Sequence, residues 1–132
     1  MTCVALLAAS ACTRTTPAPA KAVTVWRPLG TWSGRDNAQT ESFTSDTGFL
    51  RITWETKGET KTGAGRFQLR IMSSISGRRL LTAVDVQGAG HDTAYVTEDP
   101  RPFFAVVESS NVDWQFSVDE GIPATVEDKP AK

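Results

Sequence analysis

Apolar residues recur along this chain with a period of two, which predicts an all-β fold: a single antiparallel β-sandwich of about eight strands. Three segments carry the prediction. From Asn111 to Glu120, Val112, Trp114, Phe116 and Val118 alternate with Asn111, Asp113, Gln115, Ser117 and Asp119. Phe67, Leu69 and Ile71 alternate in the same way with Arg66, Gln68 and Arg70, and Leu50, Ile52 and Trp54 with Arg51, Thr53 and Glu55. A strand sends successive side chains to opposite faces, so each segment reads as half buried and half wet. No stretch repeats its apolar residues with the 3.6 period of a helix.

Further strands are expected over residues 23–27, 39–44, 79–87, 93–97 and 103–109. The breaks between them hold turn formers: Gly30 and Gly34, Asp46-Thr47-Gly48, Gly58 to Gly65, Ser76-Gly77, Gly88-Ala89-Gly90, Asp99-Pro100-Arg101-Pro102 and Ser110-Asn111. The domain is expected over 23–121, with 122–132, polar and proline-containing, as a flexible tail. If the strands at 50–57 and 65–73 form a hairpin, Trp54 falls opposite Phe67 and Glu55 opposite Arg66, a favourable pair. The same register places Arg51 opposite Arg70, which is unfavourable. In a Greek-key sandwich consecutive strands also lie in different sheets, so that pairing stays open.

The 132 residues suffice for one domain. A net charge of -1 supplies no field that would draw the protein to nucleic acid, and no nucleic-acid partner is expected. Charge is nevertheless split along the chain. Residues 47–82 carry seven basic groups against two acidic, and residues 83–132 carry three basic against ten acidic. The two halves are expected to pair across the fold, with a dipolar surface that orients a partner as the alternative.

Met1 to Ala11 is uncharged and mostly apolar or small, too short for a spanning helix, which needs about 20 residues, and shaped like a signal peptide. Leu7-Ala8-Ala9-Ser10-Ala11-Cys12 resembles the lipobox of bacterial lipoproteins, although Ala9 stands where that motif usually has a branched apolar residue. The resemblance implies a signal peptide over 1–11 and a lipid anchor on Cys12, hence an envelope location after export. A conventional secretory signal cut near Ala11 and an apolar N-terminal strand are the other readings. Residues 12–22, rich in Thr, Pro and Ala, read as a spacer. With Cys3 and Cys12 both near the start, cleavage before Cys12 leaves no internal disulfide.

Gly30-Thr31-Trp32-Ser33-Gly34, the strand Phe49 to Trp54, and the closing pair Phe104 to Ser109 and Val112 to Val118 are similar in layout to CUB-like, jelly-roll sandwich modules. That resemblance implies binding rather than catalysis.

Site candidates are few. His91 is the single histidine, beside Asp92, and no Gly-x-Ser-x-Gly or similar spacing marks a nucleophile for it, so no catalytic residue is assigned. One histidine and no cysteine in the domain make a zinc site implausible, and no metal or other cofactor is expected. Asp92, Glu98 and Asp99 offer calcium ligands only if their loops converge. Gly88-Ala89-Gly90 is a turn and not a phosphate loop. Of the four tryptophans, Trp54 and Trp114 are in phase with buried positions. Trp26 and Trp32, with Tyr95, Phe103 and the adjoining Phe104, form the candidate aromatic platform. The expected function is a noncatalytic, envelope-anchored or secreted sandwich that binds a protein or glycan. The alternatives are a weakly hydrolytic domain using His91 and a structural accessory subunit without a ligand.

Overall fold

A computed structural model describes residues 21–126. Nine strands follow one another in them, with no helix: β1 (Lys21–Gly34), β2 (Ala38–Gln39), β3 (Phe43–Ser45), β4 (Phe49–Lys57), β5 (Arg66–Ser73), β6 (Arg79–Gln87), β7 (Gly90–Thr97), β8 (Arg101–Ser110) and β9 (Asp113–Val126). They form two antiparallel sheets packed as a sandwich. One sheet has the order β1-β9-β4-β7, and the other β2-β8-β5-β6 with β3 also on β8. The expected single all-β sandwich is the observed fold. The ninth strand arises because the segment expected over 39–44 is two short pieces, β2 and β3, which meet β8 at different places.

The alternating segments divide their side chains as the pattern dictates. Leu50, Ile52 and Trp54 on β4, and Trp114, Phe116 and Val118 on β9, point inward from the four-stranded sheet. Phe67, Leu69 and Ile71 on β5, and Phe103, Ala105 and Val107 on β8, point inward from the other. Aromatic rings run through the core in one series: Trp54 on Phe67 (6.1 Å), Phe67 on Trp114 (6.1 Å), Trp114 on Phe116 (5.7 Å), Phe116 on Trp32 (5.2 Å), Trp32 on Phe43 (5.4 Å) and Phe43 on Phe103 (6.1 Å). Such pairs add about 0.5–1.5 kcal/mol each beyond the area they bury. Trp54 and Trp114 are core residues, as their phase requires. The Trp114 indole N–H donates to the Asp36 carbonyl at 3.0 Å, so its polar edge is satisfied.

The hairpin pairing that the sequence left open is decided by the structure. β4 and β5 do not form a hairpin. They lie in different sheets, and Trp54 meets Phe67 across the core and not along a ladder. Arg51 is therefore not opposite Arg70: Arg51 pairs with Asp119 at 3.1 Å and Arg70 with Glu108 at 2.9 Å. Nor does Glu55 meet Arg66, whose partner is Asp85 at 3.6 Å. These three pairs join the basic 47–82 segment to the acidic one that follows, as the pairing reading expected.

The expected boundaries are corrected. β1 begins at Lys21, inside the expected spacer, and β9 runs to Val126, beyond the expected domain end at Gly121. Lys21 to Val25 pair with Val126 to Ile122 in register, so the start of the expected tail is strand. Pro28 and Pro123 hid this. Each removes one N–H from a ladder, which is tolerated on β1 because it is an edge strand, and on β9 because β4 no longer runs beside it past Glu120. The remainder of the tail, 127–132, and the segments at 1–11 and 12–20, including Cys12, lie outside the described residues.

Most turns follow the expected glycines, but Gly30 and Gly34, expected as a break, lie inside β1 opposite Val118 and Trp114, where a register shift between Pro28 and Gly30 absorbs the irregularity. Gly48, Gly58, Gly63, Gly77 and Gly88 all have positive φ, and Asn111 takes the same left-handed conformation (φ 58°) between β8 and β9.

Candidate functional site

The outer face of the four-stranded sheet is built by register. Thr31 on β1 stands opposite Ser117 on β9, Ser117 opposite Thr53 on β4, and Thr53 opposite Thr93 on β7. Residues directly opposite share a face, so four hydroxyl side chains form one row across the sheet. The next row toward the β8–β9 turn is Ser33, Gln115, Glu55 and His91. On the other side of the hydroxyl row lie Asp119, Arg51 and Tyr95. Because the middle row is short and its neighbours long, the face is hollowed along it. The hollow is a trough of about 560 Å³ lined by Thr53, Trp54, Glu55, His91, Asp92, Thr93, Gln115 and Ser117. That is within the size of small-ligand sites, about 300–1,000 Å³.

An aromatic patch borders the trough beyond Arg51. Trp26 packs on Phe49 (5.2 Å) and Tyr95 (6.0 Å), and Phe49 stacks on Tyr95 (6.2 Å). The Arg51 guanidinium lies 4.4 Å from the Trp26 ring centroid while pairing with Asp119, so its charge is compensated on two sides. Gly121 is cross-strand from Trp26, and a methyl there would collide with the Phe49 ring. The absent side chain lets Phe49 fold over the backbone. Tyr95 is the most open of the three rings, at 62% exposure.

The sequence-predicted platform is thus divided. Trp26 and Tyr95 belong to this patch. Trp32 turns inward onto Phe43 and Phe116, with its N–H directed at the Glu41 carboxylate (3.3 Å). Phe103 is fully buried and cannot be a platform residue, because β8 presents 103, 105 and 107 to the core. Phe104, in the opposite phase, lies on the other sheet, cross-strand from Met72. Cys12 lies outside the described residues. His91 stands cross-strand from Glu55 at the trough, and no serine or threonine hydroxyl bonds to it among the described residues, so no nucleophile and base are joined there. Asp92 accepts from the Thr93 N–H at 2.8 Å. Among the described residues no three His, Cys, Asp or Glu side chains are grouped to hold a metal.

Sequence reasoning missed Phe49, Thr53, Glu55, Gln115 and Ser117 as site residues. Their alternation already placed the last four on wet faces. The missing knowledge was that β4, β7 and β9 are neighbours.

Two carboxylates outside the trough hold the frame. Glu120 is fully buried, accepts from the Ser45 hydroxyl (2.7 Å) and the Asp46 N–H (2.8 Å), and meets the Arg27 guanidinium. Arg27 is held above its usual pKa, first by its bond to Asp46 and then by the Glu120 charge. Glu59 accepts from the N–H groups of Gly65 (3.0 Å) and Ala89 (2.9 Å), linking the loop before β5 to the turn before β7. These donors, Gly65 foremost, hold its carboxyl below the usual range.

Compared with known proteins, the chain matches no protein family and no curated protein.

Proposed function

We propose that this protein is a noncatalytic binding sandwich, envelope-anchored through Cys12 or secreted, that engages its partner with the outer face of the four-stranded sheet. The observation that carries this reading is the trough beside the Trp26, Phe49 and Tyr95 patch. It sits on three paired strands, β9, β4 and β7, so its side chains are presented by a rigid support and not by loops. The lipobox-like segment ending at Cys12 and the Pro-rich spacer support display away from a membrane, and the CUB-like layout supports binding.

A photo-cross-linking residue placed at Thr53, with one at Gln68 on the five-stranded sheet as control, tests the face in the native envelope. Adducts at position 53 and not at 68 are expected. No adduct at 53, or equal adducts at both, overturns the assignment. Intact-mass analysis of the same preparation checks the anchor: a diacylglyceryl adduct on Cys12 is expected of the tethered form, and a lipid-free start near Cys12 of the secreted one.

A further inference from the structure

We infer that the trough takes a neutral, hydroxyl-rich ligand, an oligosaccharide, with its hydroxyls on Ser117, Thr53 and Thr93 and a ring face on Tyr95. The inference rests on the proposed binding face and adds the chemistry of what fills it.

Each hydroxyl of the row can donate one hydrogen bond and accept two. None of the Ser117, Thr53 and Thr93 hydroxyls is engaged in a side-chain hydrogen bond among the described residues, so their capacity is available to a ligand. A sugar hydroxyl has the same dual capacity. Glu55 adds acceptors at the trough, Gln115 adds an amide with both functions, and His91 adds a ring nitrogen of each kind when neutral.

Charge narrows the class. Of the lining residues in phase with this face, Glu55 is the one carboxylate, and no Lys or Arg is among them. The nearest guanidinium, Arg51, is already committed to Asp119 and Trp26. The Lys57 ammonium, two residues along β4, lies 3.9 Å from the Glu55 carboxylate, so an anionic ligand would have to displace that carboxylate to gain a cation. A protein partner is disfavoured by size and composition. Eight residues line the trough, whereas a stable protein interface uses about 20–30 a side around buried apolar anchors. The exposed ring of Tyr95 at the border suits the apolar C–H face of a pyranose.

The test is heteronuclear NMR titration of the mature domain with cellotetraose, chitotetraose, maltotetraose and xylotetraose, and with tetragalacturonate and tetralysine as charged arms. At least one neutral oligosaccharide is expected to shift the amides of Thr53, Thr93 and Ser117. Thr53→Val and Glu55→Gln are each expected to weaken that binding about tenfold, as loss of one ligand hydrogen bond to a polar site predicts. Tyr95→Ala is expected to do the same through stacking, and Gln68→Ala to leave it unchanged. All four targeted side chains are at least partly exposed, so unchanged backbone spectra can verify folding. Silence from all four neutral sugars, preference for a charged arm, or binding indifferent to Thr53→Val and Glu55→Gln overturns the inference. A protein adduct at position 53 without sugar binding removes the saccharide alone; absence of both removes the face as well.

Discussion

Trp26 and Trp32 lie on the same strand, β1, with their rings on opposite faces of the four-stranded sheet. Strict alternation would put both on one side. The register shift between Pro28 and Gly30 inserts Leu29 as a bulge, so Trp26 pairs with Gly121 outside while Trp32 pairs with Phe116 inside. One residue thus separates a core tryptophan from a surface one.

The two should differ in stability cost. Trp32→Ala removes a ring packed on Phe43 and Phe116, and is expected to lower the unfolding free energy by about 3 kcal/mol. Trp26→Ala removes tilted contacts to Phe49 and Tyr95 and the Arg51 stack, and is expected to cost about 1 kcal/mol. Denaturant unfolding of both variants checks the ordering, and a reversed ordering would show that the bulge does not divide them as described.

Glu120 offers the second test. It is the one charged residue among the buried side chains described, and its position at the end of the β4–β9 ladder lets it bind the Ser45 hydroxyl and the Asp46 N–H of the turn leading to β4. Ser45 in turn accepts from Gly48, which has φ 73° and leaves no room for a side chain against the Glu98 carbonyl. Glu120→Ala strips the carboxylate from this turn and is expected to cost about 3 kcal/mol. Arg27→Ala should destabilise too, because it leaves the buried carboxylate without its cation. Thermal melts of both variants decide the point. A neutral Glu120→Ala would mean that water replaces the carboxylate at no cost.

These cases show which parts of the molecule were legible in the sequence. The strands with one buried and one wet face were, because burial imposes a period of two on β4, β5 and β9. The pairing of strands was not, since alternation says which side chains face inward and nothing about which strand is next. That is why the ladder pairing of Trp54 with Phe67 stayed open, and the structure makes them core contacts between sheets. Phe103 was misplaced for a related reason. In Phe103-Phe104 both phases are apolar, and only the packing of β8 decides that 103 points inward. The outer trough was half legible: its polar residues were visible as wet positions, but the row exists only once β1, β9, β4 and β7 lie side by side.

Glu59 predicts a pH dependence. Its folded pKa lies below the unfolded value of about 4.3, because the N–H groups of Gly65 and Ala89 favour the charged form. The stabilisation is therefore present above that unfolded value and is lost as pH falls through the folded one. Glu59→Gln should melt below wild type at neutral pH, since the Gly65 and Ala89 N–H groups bond different carboxylate oxygens and an amide puts an NH2 donor in place of one of them. The gap should narrow as pH is lowered from about 5 into the acid range, where the wild-type carboxyl is also neutral. Melting curves of the pair at neutral and acid pH test this, and a gap independent of pH would assign the effect to packing instead.

The last prediction concerns the strand that crosses the expected domain boundary. Among the described residues, β9 past Glu120 has only β1 beside it, since the β4 register ends at Leu50 opposite Glu120. The chain from Gly121 to Val126 and its partner from Lys21 to Trp26 form a two-stranded ribbon that projects from the sandwich, with Val25 51% and Val126 53% exposed. Isolated two-stranded ribbons are marginal in water, so this one contributes little to global stability. Truncation after Gly121 is expected to cost less than about 1 kcal/mol while accelerating amide exchange over 21–25, because local opening there is uncoupled from the core. Truncation after Val118, which also removes Glu120, should cost at least as much as Glu120→Ala. If the shorter deletion proved as damaging as the longer one, the ribbon would be part of the cooperative fold, and the domain would need its full β9 to form.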